Sequence, residues 1–308
     1  MGSLFTVNII AASAGLRPLL DAAAWEGRIV GVFHSGLLCT TPEGRLLHLH
    51  AGPRLVSPFS LRMEGEFAKI LRRIPLAQGM PVHKTGSGID IAERLHLRLD
   101  DVTSYRSRHS AGEVRPEAVE IARQALRSHG HSGSFDRMPG AQTPVTAMQQ
   151  ALVERHPGRI VEAARRLIGL GPGLTPSGDD LLVGCLRGLW LIRPDAQAAP
   201  QMLDRLRADL LPGLGERTTR VGAEFIRYAL DGAFAEVLDR AAEALLPPTS
   251  PQLVQSALGR LLAQGETSGT DTTLGLLTCL EAMPSNSHRE ARTQRGGVSS
   301  VSSTSATT

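Results

Sequence analysis

Residues 169–186 read Gly-Leu-Gly-Pro-Gly-Leu-Thr-Pro-Ser-Gly-Asp-Asp-Leu-Leu-Val-Gly-Cys-Leu, and the apolar run continues through Leu189, Trp190, Leu191 and Ile192. A glycine-rich approach leads to Ser177, and two carboxylates then open a helix that is apolar on nearly every side. Such a helix belongs inside a protein. Its first turn sits at the floor of something, and Asp179 and Asp180 are expected to face whatever lies there. The theme returns at Ser268-Gly-Thr-Asp-Thr-Thr-Leu-Gly275, so Ser177–Gly184 and Ser268–Gly275 share the pattern Ser-Gly-x-Asp-x-x-x-Gly. The repetition predicts that the two helix starts converge in space, although Ser177 and Ser268 are 91 residues apart.

Helix capping accounts for part of this pattern. Ser177 with Asp180, and Ser268 with Asp271, fit an acidic variant of the capping box, and carboxylates in a first turn complement the helix dipole. Capping needs neither a second carboxylate at Asp179 nor glycines interleaved with Pro172 and Pro176. Glycines at that density allow positive φ and close approach to the main chain. Exposed N–H groups before a helix start favour an anion. Carboxylates beside them suggest a bridging divalent metal or hydrogen bonds to an amide on the ligand. The candidate ligand-binding residues are therefore Gly171, Gly173, Thr175, Ser177, Gly178, Ser268 and Gly269, with Asp179, Asp180 and Asp271 as candidate catalytic carboxylates. A third helix start, Glu216-Arg-Thr-Thr219, adds Thr218 and Thr219. Those threonines also read as simple caps, and Arg217 or Arg220 offers a fork for a carboxylate or phosphate.

Outward from the motif, helical periodicity recurs at about 144–156, 158–168, 178–192, 200–211, 217–230, 233–246, 251–264 and 270–282, following a first helix that Pro116 opens. Before it the chain reads as strands. Arg28–Phe33, Leu37–Thr40 and Arg45–His50 form a meander with a tight turn at Pro42-Glu43-Gly44, and extended pieces follow near Pro58–Leu61, Met80–His83 and Arg94–Leu99. His48 and His50 share a strand face; without a third ligand in view, a solvent-facing strand edge is preferred over a metal pair. Lys84-Thr-Gly-Ser-Gly88 reads as an ordinary loop rather than an anion cradle. The fold class is α+β, a β-rich N-terminal module over 1–115 followed by an all-helical domain over 116–283. The tail, 284–308, holds eleven Ser or Thr in 25 residues and is expected to be disordered.

Composition narrows the function. Apolar residues make up 42% of the chain and the formal charge is only +3, with arginines scattered and few aromatics, so nucleic acid is not an expected partner. No apolar run reaches the length of a membrane span. Ala12-Ser13-Ala14 mimics a signal cleavage site without a signal's basic start or apolar stretch, and the myristoylation-like start at Gly2 is taken as chance. Cys39, Cys185 and Cys279 lack any C-x-x-C spacing and suit a reducing cytoplasm.

The segment Gly169–Asp180 resembles the signature of a bacterial family that includes the AllH-like subunit of oxamate carbamoyltransferase. Gly31-Val-Phe-His-Ser35 with Gly44-Arg-Leu46, Thr218-Thr219, and Gly265–Asp271 with Gly275 resemble other elements of that family. The strand at Gly36-Leu37-Leu38 departs from it, since an asparagine is usual there. The resemblance implies a component of a several-subunit cytoplasmic enzyme of allantoin breakdown. That enzyme moves a carbamoyl group between oxalurate and phosphate, and the small anionic substrate would lie at glycine loops and helix N-termini without a cofactor. Two other readings stand beside it. One is a Mg²⁺-dependent hydrolase of a phosphate-linked substrate, using Asp179, Asp180, Asp271 and Thr272. The other is a non-catalytic subunit whose glycine loop packs against a partner.

Overall fold

Strand propensity in the first third of the chain closes on itself. In the computed structural model, which describes residues 5–52, 56–86, 88–108, 110, 113–129, 135, 138, 140, 142–192 and 198–283, nine strands form one sheet. They are β1 (Phe5–Ser13), β2 (Trp25–Phe33), β3 (Gly36–Thr40), β4 (Leu46–Ala51), β5 (Ser60–Met63), β6 (Pro81–Thr85), β7 (Gly88–Ile91), β8 (Leu95–Arg98) and β9 (Thr103–Tyr105). The order is β5-β4-β3-β2-β6-β7-β8-β1-β9, and a β5–β1 pairing closes it into a barrel. Closure leaves no long open edge. Alternation along the strands sends Leu37, Leu49, Leu61, Val82, Ile89 and Leu97 into the barrel core. The other face of β3 and β4 carries Leu38, Leu46 and the two histidines.

β1 escaped the sequence reading. The small-residue stretch that mimics a cleavage site is the end of a strand that pairs with β8, β5 and β9 in turn. The Lys84–Gly88 segment is a hairpin connection, with Thr85 paired to Gly88; Ser87 lies outside the described residues, as do the N-terminal Gly2 and the tail 284–308.

Short helices α1 (Arg17–Asp21) and α2 (Phe67–Leu71) belong to the barrel half. Beyond the barrel the described residues are mainly helical: α3 (Pro116–Ser128), α4 (Gln142–Val153), α5 (Pro157–Leu167), α6 (Ser177–Ile192), α7 (Ala198–Leu210), α8 (Leu214–Arg217), α9 (Arg220–Leu230), α10 (Glu236–Glu243), α11 (Pro251–Leu262) and α12 (Ser268–Ala282). The α+β class stands, and the β-rich part is a barrel.

Apolar residues all round α6 place it at the centre, where only Trp190 escapes full burial. Its partner is α12. A Cβ on Gly184 would lie 2.0 Å from Thr272 O, and one on Gly275 would lie 1.9 Å from Leu181 O. These positions correspond across the repeated pattern: each pattern's final glycine meets the other's fifth residue. The contacts progress in the same sense along both helices, with Gly188 against Cys279 further on. The two helices are therefore parallel, backbone against backbone, with both N-termini at one end. Cys185 Sγ donates to Gly275 O at 3.2 Å. Burial pushes the Cys185 thiol up to about 12, which fits a small core residue.

Candidate functional site

Parallel packing of α6 and α12 brings the two repeated helix starts together, and Thr175 Oγ1 lies 3.0 Å from Ser268 Oγ. The serines are not caps. In α6 the N–H groups of Asp179 and Asp180 donate to Pro176 O at 2.9 and 3.1 Å, so Ser177 is already the first helical residue. Proline has no N–H for a capping-box carboxylate to reach. In α12 the N-cap is Thr267, with no side-chain cap bond, and Asp271 N donates to Thr267 O at 2.9 Å. Of the expected caps, Thr219 acts as one, its Oγ1 accepting from Gly222 N at 2.9 Å.

Freed from capping, the two adjacent aspartates take different tasks. Asp179 is a clamp: Oδ1 accepts the Gly169 N–H at 2.8 Å, and Oδ2 accepts the Thr218 hydroxyl. Gly222 leaves room for it, since a Cβ there would lie 2.0 Å from Asp179 Oδ2. One carboxylate thus ties the glycine loop, α6 and the start of α9. Gly169 must be glycine twice over, for its φ of +78° and for a Cβ position 2.2 Å from Arg217 O. Burial raises the Asp179 carboxyl, and the bonds from Thr218 and Gly169 oppose that rise. Each of its oxygens is bonded to the scaffold.

Asp180 has no such tether for one oxygen. The residue is 9% exposed and its Oδ2 has no hydrogen-bond partner. Its carboxyl is held well above the usual range, first by burial and then by the charge of Asp271; the hydroxyls of Ser268 and Thr175 pull the other way. Asp180 lines a cavity of about 210 Å³.

The cavity lies where the barrel meets the helices. Asp180, Ser268, Gly269 and Thr272 form one wall. His48, His50 and Ser57 of the barrel form another, closed by Phe225, Val237 and Leu261. The solvent-edge expectation for the histidines is overturned. β4 lies between β3 and β5, His50 is 4% exposed, and the two rings stack at 5.0 Å. Period-two alternation had put both on one face, but nothing local says that this face meets a second layer. Ser57 and Gln264 were missed for the same reason.

The junction around the cavity is firmly tied. Arg45 meets Glu224 through Nε at 2.8 Å and Nη2 at 2.7 Å and lies 4.9 Å over the Tyr228 ring. Phe59 packs edge-on to Phe225 at 4.8 Å. Fully buried Arg187 donates to Asp239 Oδ1 at 2.7 Å, and Asp239 also accepts the Tyr105 hydroxyl.

The other expected site residues stand apart from the cavity wall. Gly171 packs against Ser177, and the φ values of Gly171 and Gly173, +108° and +97°, shape the loop. Gly178 lies against Leu167 O, as Gly269 lies against Leu261 O. The N–H of Gly178 is already taken by Leu170 O at 2.8 Å. Asp271 is fully buried, and its charge acts on Asp180. Arg217 donates to the Leu210 and Pro212 carbonyls, and Arg220 to Gly44 O. Among the described residues no group of three or more His, Cys, Asp or Glu is arranged to hold a metal. No described helix is long and apolar enough to cross a membrane.

No solved structure matches the chain. The glycine loop, the paired helix starts and the clamp between them all fall in one segment: residues 167–280 match the family model of the oxamate carbamoyltransferase subunit AllH.

Proposed function

We propose that this chain is a subunit of a cytoplasmic carbamoyltransferase complex of allantoin breakdown, which moves a carbamoyl group between oxalurate and phosphate to give oxamate and carbamoyl phosphate. We further propose that the junction cavity holds a small amide-bearing anion of that reaction. The observation that carries this reading is Asp180: a buried carboxyl with an unpartnered oxygen, lining a small cavity opposite His48 and His50. The cavity volume suits a ligand of few heavy atoms, below the usual range for drug-sized molecules. Carboxyl, hydroxyl and imidazole groups together offer the donors and acceptors that an amide and a carboxylate require. The histidines lie outside the matched segment, so on this reading the barrel contributes half of the site. The β-rich part (1–115) and the helical part (116–283) are then two domains with the ligand between them, a common place for small-molecule sites.

The test is calorimetry with oxamate, oxalurate and carbamoyl phosphate, each with and without EDTA, on the chain alone and with its partner subunits. Binding of at least one ligand in EDTA, lost on filling the cavity with Ser268→Phe, is the expected result. Binding only with Mg²⁺ moves the reading to the hydrolase. Silence from the chain alone, with binding by the partners whether or not this chain is present, makes it a structural subunit.

A further inference from the structure

Oxamate, oxalurate and carbamoyl phosphate share one group, a terminal H₂N–C=O. A pocket that serves them needs a hydrogen-bond donor for the carbonyl oxygen and an acceptor for the NH₂. Much of the polar wall is bonded within itself. Ser268 and Thr175 turn their hydroxyls to each other and to Asp180, and Ser57 Oγ and Asp180 Oδ2 are buried within the wall. Thr272 on α12 and Gln264 in the turn before it also line the cavity, and they differ.

Thr272 is 8% exposed, yet its hydroxyl does not fold back onto its own helix. Thr273 Oγ1 donates to Gly269 O at 2.7 Å and Thr278 Oγ1 to Leu274 O at 2.8 Å, the usual bond of a helical threonine. Among the described residues Thr272 Oγ1 has no such partner, and it is not sealed from the cavity that the residue lines. Gln264 is held at two points. Its main-chain oxygen accepts the Gly269 N–H at 3.0 Å, and its Nε2 donates to Arg260 O at 3.1 Å. A carbonyl oxygen accepts and never donates, so the second bond fixes which end of the side-chain amide faces α11. Oε1 is turned away from that carbonyl, and among the described residues it has no partner.

We propose that Thr272 and Gln264 together recognise the H₂N–C=O group of the ligand: the Thr272 hydroxyl donates to its carbonyl oxygen, and Gln264 Oε1 accepts from its NH₂. This rests on the functional reading above and names the side chains that select the ligand. The ligand class is a small molecule that ends in a primary amide or carbamoyl group, with its anion toward the barrel wall. The two contacts have different consequences. An amide and a carboxylate both present an oxygen to Thr272, so that residue adds affinity without choosing between them. At Gln264 a carboxylate sets one acceptor against another, so this residue decides for amide over carboxylate.

The experiment is calorimetry of the full chain, alone and with its partner subunits, with oxamate and with oxalate, which carries a carboxylate oxygen in place of the NH₂. Gln264→Met keeps the length of the side chain and removes the acceptor. It is expected to weaken oxamate by at least about fivefold, while oxalate binds as in the wild type or better. Thr272→Val keeps the shape and removes the hydroxyl, and is expected to weaken both ligands by at least about fivefold. Thr272→Ser is expected to restore both to within about twofold of the wild type. Thr278→Val, which removes a hydroxyl bonded to its own helix, is expected to change neither. If Thr272→Val does not fold, Gln264→Met decides alone. Unchanged oxamate affinity in Gln264→Met or Thr272→Val overturns the proposal, as does an equal loss of oxamate and oxalate in Gln264→Met. In those outcomes the wild type still binds oxamate, so the functional reading survives. No oxamate binding by the wild type, alone or with its partners, removes both.

Discussion

The two helix starts share one sequence pattern and use it in two ways. At the glycines they are equivalent: Gly184 and Gly275 each accommodate the other helix's backbone, and Gly178 and Gly269 each accommodate the carbonyl of a preceding helix. At the polar positions they part. Asp180 lines a cavity, whereas its counterpart Asp271 is fully buried and is not part of the wall. Ser268 lines that cavity and meets Thr175, whereas Ser177 packs near Gly171. The repeat builds a symmetric scaffold, and the unlike surroundings at its one end make a single site. The barrel residues His48, His50 and Ser57 share the cavity with Asp180 but not with Asp271.

The equivalence of the glycines is the easiest part to break. Gly184→Ala and Gly275→Ala each place a methyl about 2 Å from a backbone carbonyl oxygen that cannot swing away. Each is expected to cost about 4 kcal/mol or more in denaturant melts. Closely similar losses support the two-fold packing; one tolerated substitution ends it.

Next comes the contrast between neighbours. Asp179→Ala removes the acceptor for Gly169 N–H and the Thr218 hydroxyl and is expected to destabilise by about 3 kcal/mol. Asp180→Asn is expected to change stability near neutral pH by less than about 1 kcal/mol, because the amide keeps an acceptor oxygen for the hydroxyls of Ser268 and Thr175. Thermal and urea melts rank the pair, and the reverse order would reassign clamp and ligand group.

The tie between barrel and helices is tested by Arg45→Ala. It leaves Glu224 buried with Arg227 as its remaining ion-pair partner, at 3.1 Å. The Arg45 side chain is 36% exposed, so solvent screens part of the interaction. A loss of about 2 kcal/mol is expected, with ligand affinity falling as the cavity wall loosens. Unchanged affinity would show that the barrel does not shape the site.

The smallest effect is a pH slope. Asp180 has a raised carboxyl in the folded protein, so the folded state retains its proton where the unfolded chain has lost it. Stability from this group is fully present below the ordinary value of 3.8 and is lost as pH rises through the raised value. Asp179 is raised in the same direction and adds to the slope. Urea melts across that window should show a shallower decline in Asp180→Asn than in the wild type. An equal slope would mean that Asp180 ionises freely in the fold.

Local chemistry made much of this legible. The apolar run from Leu181 to Ile192 announced a central buried helix, and the repeated Ser-Gly-x-Asp-x-x-x-Gly announced a second element like it. Helix positions followed because prolines and periodicity act within a few residues. Strand β1 was missed although Phe5-Thr-Val-Asn-Ile-Ile10 carries a strand signal, because the small residues at its end drew attention to a cleavage-site likeness instead.

The sequence by itself determined the two helices, the glycines that let them touch and the chemical types at their first turns, since each depends on residues near in the chain. Only the tertiary structure decided which aspartate does what. Asp179 and Asp180 are adjacent, but successive helical residues point about 100° apart. One meets Gly169 and Thr218; the other meets a cavity whose far wall is His48 and His50. That wall comes from a barrel closed by pairings that no local pattern records, and the cavity exists only where its outer face lies against the ends of α6 and α12.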